Sequence, residues 1–397
     1  MMSTSSNTIE RPQTQTQTKT MAPVVKAEVF EIEAAFKKPY KLSIGTVATT
    51  SAVLLKLTDA DGIEGWGEAN PSVTFTGESS RDAAVVLRDA LLPAVLASPE
   101  PEPGRIDAQL DAVEPRHLCA KGAVSMALLD LLGKRLGVPV STLLGGKVRE
   151  SLPVLWPLSN GSAEDDIRDI EEMLPAGFTS YMLKMGTSPI REEIQRVAAL
   201  EARYDSRVRL IADANQGWSR KQATEFLDGV RGSRLVFVEQ PLAKDDIEGA
   251  AMLARDSRLP ISADESVVDI HDAAKLASLG AATVFSIKSS KNGGPLRAQR
   301  IVAVARAFGI RCYMNSMLEF GITQAASLQH AATIGNLVDF GHAFMSTLRL
   351  AEDPTDFSAR VLDGVVHLPR GPGLGIKVDE EHVHRHAVDN LTLRSSR

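Results

Sequence analysis

The sequence predicts an α/β protein, a modified (β/α)7β barrel of the TIM type with an α+β capping domain. From Ser151 onward, eight short β-rich runs alternate with seven amphipathic stretches of helical spacing. Charged residues stand at the carboxyl ends of several runs, and in a closed parallel barrel these ends meet at one mouth. An open nucleotide-binding sheet is disfavoured because no G-x-G-x-x-G motif follows a strand.

The elements of the barrel can be assigned in order. The strand runs are LPVLWPL, SYMLKMG, VRLIADAN, LVFVEQP, PISADES, ATVFSIKSS, IRCYMNS and NLVDFGH. The helical segments between them are predicted at about 162–174, 189–204, 219–230, 244–257, 269–278, 294–308 and 322–334. Strict alternation of strands and helices is typical of parallel βαβ units.

The remaining chain predicts the capping domain and a tail. Residues 23–150 begin with strand-like runs and continue with helical stretches, an order typical of an α+β unit. The barrel is expected to span 151–369, and the extended stretch at about 370–397 is expected to fold back and complete the capping domain. Residues 1–22 are polar and of low complexity, which predicts a disordered tail.

Composition argues against several functional classes. The chain has 397 residues, 44% hydrophobic and 24% charged, with a net charge of −6, as expected for a soluble globular protein. Its basic residues do not cluster, so neither nucleic acid nor a membrane is an expected partner. No apolar run reaches the ~18–20 residues of a membrane helix, and no secretory signal is recognisable. With only two cysteines, a cytoplasmic location is expected.

Three acidic residues lie in three consecutive strand runs. They are Asp213, Glu239 and Asp264, at intervals of 26 and 25 residues. Each could cap the following helix, but capping does not explain why each stands inside its run, before the turn. Three carboxylates that converge on one mouth repel one another unless a cation neutralises them. Because Mg²⁺ prefers oxygen ligands and retains open water positions, the sequence predicts a magnesium site.

Two lysines hold the equivalent position on either side of these acids. Lys184 ends the second strand run and Lys288 the sixth, so they face each other across an eight-stranded mouth. Either could simply form a salt bridge to a barrel acid. A lysine becomes a base near pH 7 only when burial or a nearby cation lowers its pKa. With Mg²⁺, the pair fits abstraction of the proton α to a carboxylate, through an enediolate, with proton return on the far face.

These motifs resemble the enolase superfamily and, within it, the muconate-lactonizing subgroup. The resemblance spans about residues 25–378 and is carried by GWGEANP, LKMG, DANQGW, VEQPL, ADES, SIKSSKNGG and PGLGI. It implies a capping domain over a magnesium-bearing barrel and a small carboxylate substrate. It assigns acid/base roles to the two lysines and metal ligation to the three acids. Members of the family are often octamers or dimers, so a homo-oligomer is expected.

The resemblance also assigns residues around the reacting centre. Asn215 matches the polar residue beside the metal ligands. The loop at about 42–48 and the TFTGE segment, which contains Thr76, match capping loops that touch substrate.

Three positions depart from the relatives' patterns. Met182 stands where the subgroup usually has the first lysine of a Lys-x-Lys pair. That lysine would lower the pKa of Lys184 by like-charge repulsion, so Met182 indicates a different base strength or a substrate with its own positive charge. CYMNSMLEF lacks the strand-seven histidine of mandelate-racemase relatives. Asp339 is followed by Gly341 instead of the second Asp of dipeptide epimerases, which argues against a free dipeptide amine.

Further charged residues have two interpretations each. Glu265 is expected either to pair with Lys288 or to be an ordinary residue of the barrel shell. Lys291, beside two glycines, either binds an anionic group at a helix N-terminus or belongs to a tight turn. Glu319 and Asp339 are expected at strand ends, where they would contact the distal part of the substrate.

A histidine-rich stretch lies near the C-terminus. EHVHRHAV contains His382, His384 and His386, a composition typical of metal-binding tracts. Because the sequence indicates no scaffold around it, we expect a solvated C-terminal segment.

The predicted function is Mg²⁺-dependent carbon-acid chemistry. Retention of both lysines favours a racemase or epimerase of a small amino-acid derivative, including proline-like substrates. The alternatives are a cycloisomerase of a muconate-like diacid and a dehydratase, a lyase that performs β-elimination on a hydroxy or cyclic amino acid. An inactive binding relative is the remaining alternative, and the retained acids and lysines argue against it.

Overall fold

The computed structural model describes residues 21–42, 45–159 and 161–395. The tail predicted to be disordered lies outside the described residues, except for its last two positions. Residues 43 and 44 of the loop expected to touch substrate also lie outside them.

An antiparallel sheet and several helices form the N-terminal region. Strands β1, β2 and β3 span Val24–Leu42, Gly45–Asp59 and Glu64–Ala69. The fourth strand of this sheet, Ala387–Arg394, comes from the C-terminus and pairs antiparallel with β1. The helices that follow are α1 (Val73–Thr76), α2 (Ser80–Val86), α3 (Leu92–Ala97), α4 (Pro103–Val113), α5 (Leu118–Leu136) and α6 (Val140–Leu143), with a π-helical turn at Leu87–Leu91.

The glycines of the GWG motif bring β3 into direct contact with α5. A Cβ atom on Gly67 would lie 1.9 Å from the carbonyl oxygen of Ala123, and one on Gly65 would lie 2.2 Å from that of Ala127. No side chain fits in these gaps, so close approach of strand and helix requires glycine. The contact closes a hydrophobic core between the sheet and the helices that includes Leu55 and Val124.

Seven parallel strands curve into the barrel. After β4 (Ser151–Pro153), they are β5 (Leu155–Leu158), β6 (Ser180–Lys184), β7 (Arg209–Asp213), β8 (Val238–Glu239), β9 (Ile261–Ala263), β10 (Val284–Ile287) and β11 (Arg311–Met314), paired in chain order. Two parallel bridges, Cys312–Leu337 and Val154–His342, place residues 337–342 between β11 and the chain just before β5. This segment takes the eighth position.

A helix follows each of the seven strands. These helices are α7 (Ala163–Met173), α8 (Ile190–Tyr204), α9 (Arg220–Gly229), α10 (Ile247–Asp256), α11 (Ile270–Ser278), α12 (Pro295–Ala307) and α13 (Gly321–Ala331). Ser162, Ser219 and Asp269 form capping boxes that begin α7, α9 and α11. The predicted alternation, and with it the α/β barrel with a capping domain, is confirmed.

The chain after the barrel returns to the N-terminal sheet. It passes through α14 (Ser346–Arg349), β12 (Val361–Leu362), β13 (Val365–His367) and α15 (Glu380–His386) to β14 (Ala387–Arg394). Short 3-10 helices lie at Leu174–Ala176, Asp205–Arg207 and Phe357–Arg360. None of the helices within the described ranges is both long and apolar enough to cross a bilayer.

A buried carboxylate joins the capping sheet to the barrel. Glu68 in β3 accepts hydrogen bonds from the backbone N–H groups of Phe320 and Thr323, each at 2.8 Å, at the start of α13. A carboxylate at a helix N-terminus satisfies N–H groups that have no partner inside the helix. Burial nevertheless raises the pKa of Glu68 to about 8. This contact fixes the capping domain above the turn that precedes α13.

Candidate active site

Strand register places the predicted charged residues at one level of the barrel mouth. Lys184 is the register partner of Asp213, which in turn is the partner of Glu239. Asp264 directly follows β9, and Lys288 directly follows β10. The carboxyl ends of parallel strands therefore bring together five residues from five strands, as the sequence predicts.

Two short ion pairs dominate the site. Lys184 Nζ lies 2.5 Å from Asp213 Oδ2, and Lys288 Nζ lies 2.5 Å from Asp264 Oδ2. All four residues are buried, with at most 8% of their surface exposed. Glu239 lies between the two pairs and is fully buried. The lysines thus approach the group of acids from two sides.

The lysine pKa values differ from the expectation that burial would lower them. Burial does act in that direction, but the attraction of Asp213 outweighs it and raises the pKa of Lys184. The pKa of Lys288 is also raised, because Asp264 and Glu265 outweigh burial. In this arrangement the two ammonium groups are the counter-ions of the carboxylates.

The central acids have opposite pKa shifts. Burial and the neighbouring charges of Asp213 and Asp264 raise the pKa of Glu239 well above its ordinary value. Asp264 is buried too, but the attraction of Lys288 and Lys291 prevails and lowers its pKa to about 2.

The donor set fits a divalent cation. Asn315 Nδ2 donates to Glu239 Oε1 at 2.8 Å, whereas Glu239 Oε2 has no hydrogen-bond partner among the described residues. Glu265 Oε2 is buried and lacks a partner there as well. Leaving such an oxygen without a donor is costly, and a hard cation coordinated by oxygen removes the cost. Asp213, Glu239 and Asp264 are the residues that could hold it.

Asn215 lies between Lys184 and Glu265 and contacts both. Its Oδ1 lies 3.2 Å from Lys184 Nζ, and its Nδ2 lies 3.4 Å from Glu265 Oε1. Its φ of 42° is left-handed, a conformation that asparagine tolerates better than most residues. Glu265 therefore contacts Asn215, and its negative charge also acts on the Lys288 ammonium group. Burial and the charge of Asp264 raise the pKa of Glu265 to about 7.

The contacts of Lys291 contradict the interpretation that it binds an anionic group of a ligand. Its Nζ donates to the backbone oxygen and Oδ1 of Asp264, at 2.5 and 2.9 Å, and to the backbone oxygen of Ser286 at 3.1 Å. All of its donors are directed toward the protein, so it is not placed to bind an anionic group of a ligand. It provides a second positive charge that keeps Asp264 ionised.

A small cavity opens above these residues, with an empty volume of about 490 Å³ including the part open to solvent. Lys184, Asn215 and Lys288 line its base. Lys288 Nζ lies 5.5 Å from the centre of the Phe75 ring. The other lining residues are Tyr40, Phe75, Leu155, Pro157, Met182, Asn315, Ser316, Met317, Leu318, Ala343 and Met345. The walls are thus largely apolar, and Met182 is one of them.

Three residues that were predicted to contact the substrate are not among those that line the cavity. Glu319 is buried and accepts hydrogen bonds from Ser316 and Met317, so it holds the turn that lines the cavity. Thr76 directs its hydroxyl group to Ser72 within its own turn. The side chain of Asp339 is 94% exposed.

The position of Asp339 corrects the expectation that it contacts the substrate. It lies 3.7 Å from Arg209, the first residue of β7, at the opposite end of that strand from Asp213. The eighth segment continues to His342, and the next residue, Ala343, lines the cavity. The mouth is therefore reached several residues later than the sequence pattern indicated.

Asn315 and Tyr40 are among the lining residues that were not singled out from the sequence. Asn315 follows β11 at the same level as the acids and could have been found by the strand-end rule. Tyr40 comes from the capping sheet, and no local pattern marks it as a cavity residue. Its hydroxyl is buried without a hydrogen-bond partner among the described residues, and burial raises its pKa.

Two family models match the chain. "Mandelate racemase / muconate lactonizing enzyme, N-terminal domain" matches residues 25–145, and "Enolase C-terminal domain-like" matches residues 165–382. The chain belongs to the mandelate racemase/muconate lactonizing enzyme family of the enolase superfamily. Membership of this family implies a divalent metal ion. The family also places the chain among the isomerases of the muconate-lactonizing subgroup.

Individual family members cover nearly the whole chain. Muconate cycloisomerase 1 of Pseudomonas putida is 34% identical over 88% of this chain and 94% of its own length. L-Ala-D/L-Glu epimerase of Bacillus subtilis is 32% identical over 89% of this chain and 96% of its own length.

Two solved structures share the fold. The N-succinyl Arg/Lys racemase from Bacillus cereus is 26% identical, covers 94% of this chain and 100% of its own, and has a TM-score of 0.89. The muconate lactonizing enzyme from Pseudomonas fluorescens, complexed with muconolactone, is 32% identical, covers 92% and 99%, and also has a TM-score of 0.89.

Proposed function

We propose that this enzyme uses Mg²⁺ and two lysines to move the proton α to a carboxylate, and that it racemises or epimerises a small amino-acid derivative. The observation that carries the proposal is the placement of Lys184 and Lys288. Both line one cavity, each beside a different carboxylate of the acidic group. A substrate carbon between them would be reached by one ammonium or amine group from each side.

Asp213, Glu239 and Asp264 are the proposed ligands of the cation. A bound Mg²⁺ would offset the charge of the substrate carboxylate and of the enediolate formed from it. It would also compete with the ammonium groups for the same carboxylates, and this competition would lower the pKa of both lysines.

The residues of the chain then have distinct tasks. The neutral Nζ of one lysine removes the α proton, and the ammonium Nζ of the other delivers a proton to the opposite face. Asn215 holds Lys184 at 3.2 Å, and Lys291 keeps Asp264 ionised. Phe75 lines the cavity beside Lys288 and would shield the reacting carbon from water.

The cavity walls favour an uncharged group at the substrate nitrogen. The described residues that line the cavity include neither aspartate nor glutamate, so a free ammonium group would lack a counter-ion there. An N-acylated amino acid, including an N-acylated proline-like derivative, has an uncharged amide nitrogen and fits these walls. The similarity to a racemase whose name specifies N-succinyl amino acids supports the same class.

Cycloisomerisation of a muconate-like diacid is the second candidate. It is favoured by the 34% identity to muconate cycloisomerase 1 over 88% of the chain. Such a reaction needs only one lysine as its acid or base. A β-eliminating dehydratase has the same requirement, so the reaction products distinguish these candidates from a racemase.

Proton exchange in D₂O tests the proposal. The enzyme with Mg²⁺ is incubated with N-acyl amino acids, prolines, hydroxyprolines, betaines and muconates, each followed by NMR and chiral chromatography. We expect deuterium at the α carbon and recovery of both stereoisomers. Lys184→Ala should reduce the rate of exchange from one stereoisomer, and Lys288→Ala the rate from the other, each by a factor of about 10² or more.

Lys275→Ala is the matched control, because Lys275 is an exposed lysine on α11. It should leave exchange unchanged. A new alkene, imine or lactone without exchange in recovered substrate would replace the racemase proposal with a lyase or cycloisomerase. Equal loss of exchange from both stereoisomers in each lysine variant would refute the assignment of one face to each lysine.

A further inference from the structure

The histidine-rich stretch near the C-terminus is ordered on a helix. His382 and His386 both lie on α15, one turn apart, so their side chains share one face. Asp379 begins the helix and accepts a hydrogen bond from the backbone N–H of His382 at 3.0 Å. The helix is a scaffold that the sequence did not indicate, whereas His384 and His386 are exposed to solvent as expected.

A carboxylate from another part of the chain meets the two imidazoles. Glu352 Oε2 lies 3.1 Å from His386 Nε2 and 3.8 Å from His382 Nε2. One ligand atom of each residue lies within 4.8 Å of the other two. Both neighbours of Glu352 are held by hydrogen bonds: the Ala351 N–H donates to the carbonyl oxygen of Ala35, and the Asp353 side chain accepts from the Gly321 N–H through its Oδ1.

The two separations from Glu352 are close to those of a tetrahedral metal site. With metal–ligand bonds of ~2.0–2.2 Å, two ligand atoms of one tetrahedron lie about 3.3–3.6 Å apart. The distances from Glu352 to the two histidines are close to that range. The side chains of Glu352 and His386 are exposed by 59% and 43%, so water can complete the coordination.

The ring of His386 is oriented as a ligand. Its Nδ1 lies 2.9 Å from the carbonyl oxygen of His382, which favours a proton on Nδ1 and leaves the lone pair on Nε2. That Nε2 is the atom directed at Glu352.

We propose that Glu352, His382 and His386 bind a divalent transition-metal ion of the Zn²⁺ class. Two imidazole nitrogens and one carboxylate oxygen form a set that suits Zn²⁺ and not Mg²⁺, which prefers oxygen alone. The ion is separate from the one proposed for the barrel, since none of the residues is shared.

The position of this site indicates a structural role. Glu352 lies just after α14, whereas α15 leads directly into β14 of the capping sheet. A metal ion between them would tie the chain that leaves the barrel to the strand that completes the capping domain. Binding to the native state alone would raise its thermal stability.

Zn²⁺ titration by calorimetry tests the proposal. The full chain is treated with chelator, supplied with saturating Mg²⁺ to occupy the barrel acids, and titrated with Zn²⁺. We expect His386→Ala and Glu352→Gln to lose one equivalent of binding, or to weaken it by about tenfold or more. The rise in Tm caused by Zn²⁺ in the wild type should shrink in the same variants.

A second readout and a control complete the test. Co²⁺ should give d–d absorption bands of a site with nitrogen ligands in the wild type, and these bands should be absent in His382→Ala. His271→Ala removes an exposed histidine elsewhere in the barrel and should change neither result. Unchanged stoichiometry, affinity and Co²⁺ spectrum in folded His382→Ala and His386→Ala, verified by circular dichroism, would overturn the proposal.

Discussion

Arg196→Met tests how the end of the strand that carries Lys184 is held. Arg196 in α8 is 6% exposed and forms a two-point ion pair with Asp166, at 2.5 and 2.7 Å. The same guanidinium group donates to the carbonyl oxygens of Lys184 at 2.6 Å and of Ser159 at 3.0 Å. It therefore links the ends of β5 and β6, and its loss leaves three groups unsatisfied.

The expected loss of stability is large and depends on pH. Burial raises the pKa of Asp166 to about 6 although Arg196 acts in the opposite direction. Relative to the ordinary value of 3.8, this shift corresponds to a cost of ~3 kcal/mol at neutral pH. Without the arginine the pKa rises further, and the cost near pH 7.5 increases toward its upper limit of ~5 kcal/mol. Two carbonyl groups without donors add ~1–3 kcal/mol each in the interior.

The sign of the pH effect follows from proton binding. The pKa of Asp166 is higher in the folded chain, so its contribution to stability is fully present below the unfolded pKa and declines as pH rises through the folded one. In the variant this decline continues to a higher pH. The destabilisation should therefore be ~2–6 kcal/mol near pH 5 and up to ~2 kcal/mol greater near pH 7.5.

Urea unfolding of a double-mutant cycle measures these values. Arg196→Met, Asp166→Asn and the double variant are compared near pH 5 and pH 7.5 by tryptophan fluorescence. The double variant should lose the part of the pH dependence that comes from Asp166, because no carboxyl group is left to titrate at that position. Arg203→Met is the control, since Arg203 lies on the same helix in an exposed ion pair and should cost less than ~1 kcal/mol. An equal loss at both pH values would refute the reasoning.

Three further changes have defined outcomes. Met182→Lys places a second ammonium group two residues from Lys184, ~6.6 Å away along the strand. At an effective dielectric constant of ~20, repulsion between the two groups should lower the pKa of the catalytic base by ~1–2 units in the pH profile of kcat/KM. Met182→Leu, which adds no charge, should leave this pKa unchanged. Gly67→Ala puts a Cβ atom 1.9 Å from a backbone oxygen and should cost about 3 kcal/mol in urea unfolding. Burial lowers the pKa of His330 to about 4. The contribution of its neutral form to stability is therefore complete above the unfolded pKa and is lost as pH falls toward 4. Relative to wild type, the free energy of unfolding of His330→Met should be ~2 kcal/mol more favourable near pH 5 than near pH 7.5 in the same assay.

The strand-end rule accounts for most of what could be inferred about the site. It places Lys184, Asp213, Glu239 and Asp264 at one level because neighbouring parallel strands have a fixed register. The same rule applies to Asn315 and would have found it. The rule fails for Asp339, because the eighth segment is irregular and its residues do not alternate as in a regular strand.

The lysine environment could not be obtained from position alone. Burial by itself lowers the pKa of a lysine, and this was the basis of the expectation for Lys184 and Lys288. The structure adds the carboxylate at 2.5 Å from each, and at such a distance attraction outweighs desolvation. The sign of a pKa shift in a buried site depends on distances that sequence spacing does not contain.

The sequence by itself determined the α/β barrel, the capping domain and the group of acids and lysines at the mouth, because each follows from local periodicity and the position of a residue in its strand. Tertiary structure decided which residues far apart in the chain meet. It brought Tyr40 over Lys184 and carried Glu352 to the histidines of α15. It also turned Lys291 inward and left Asp339 exposed. These contacts arise from how elements pack, and no local pattern records that packing.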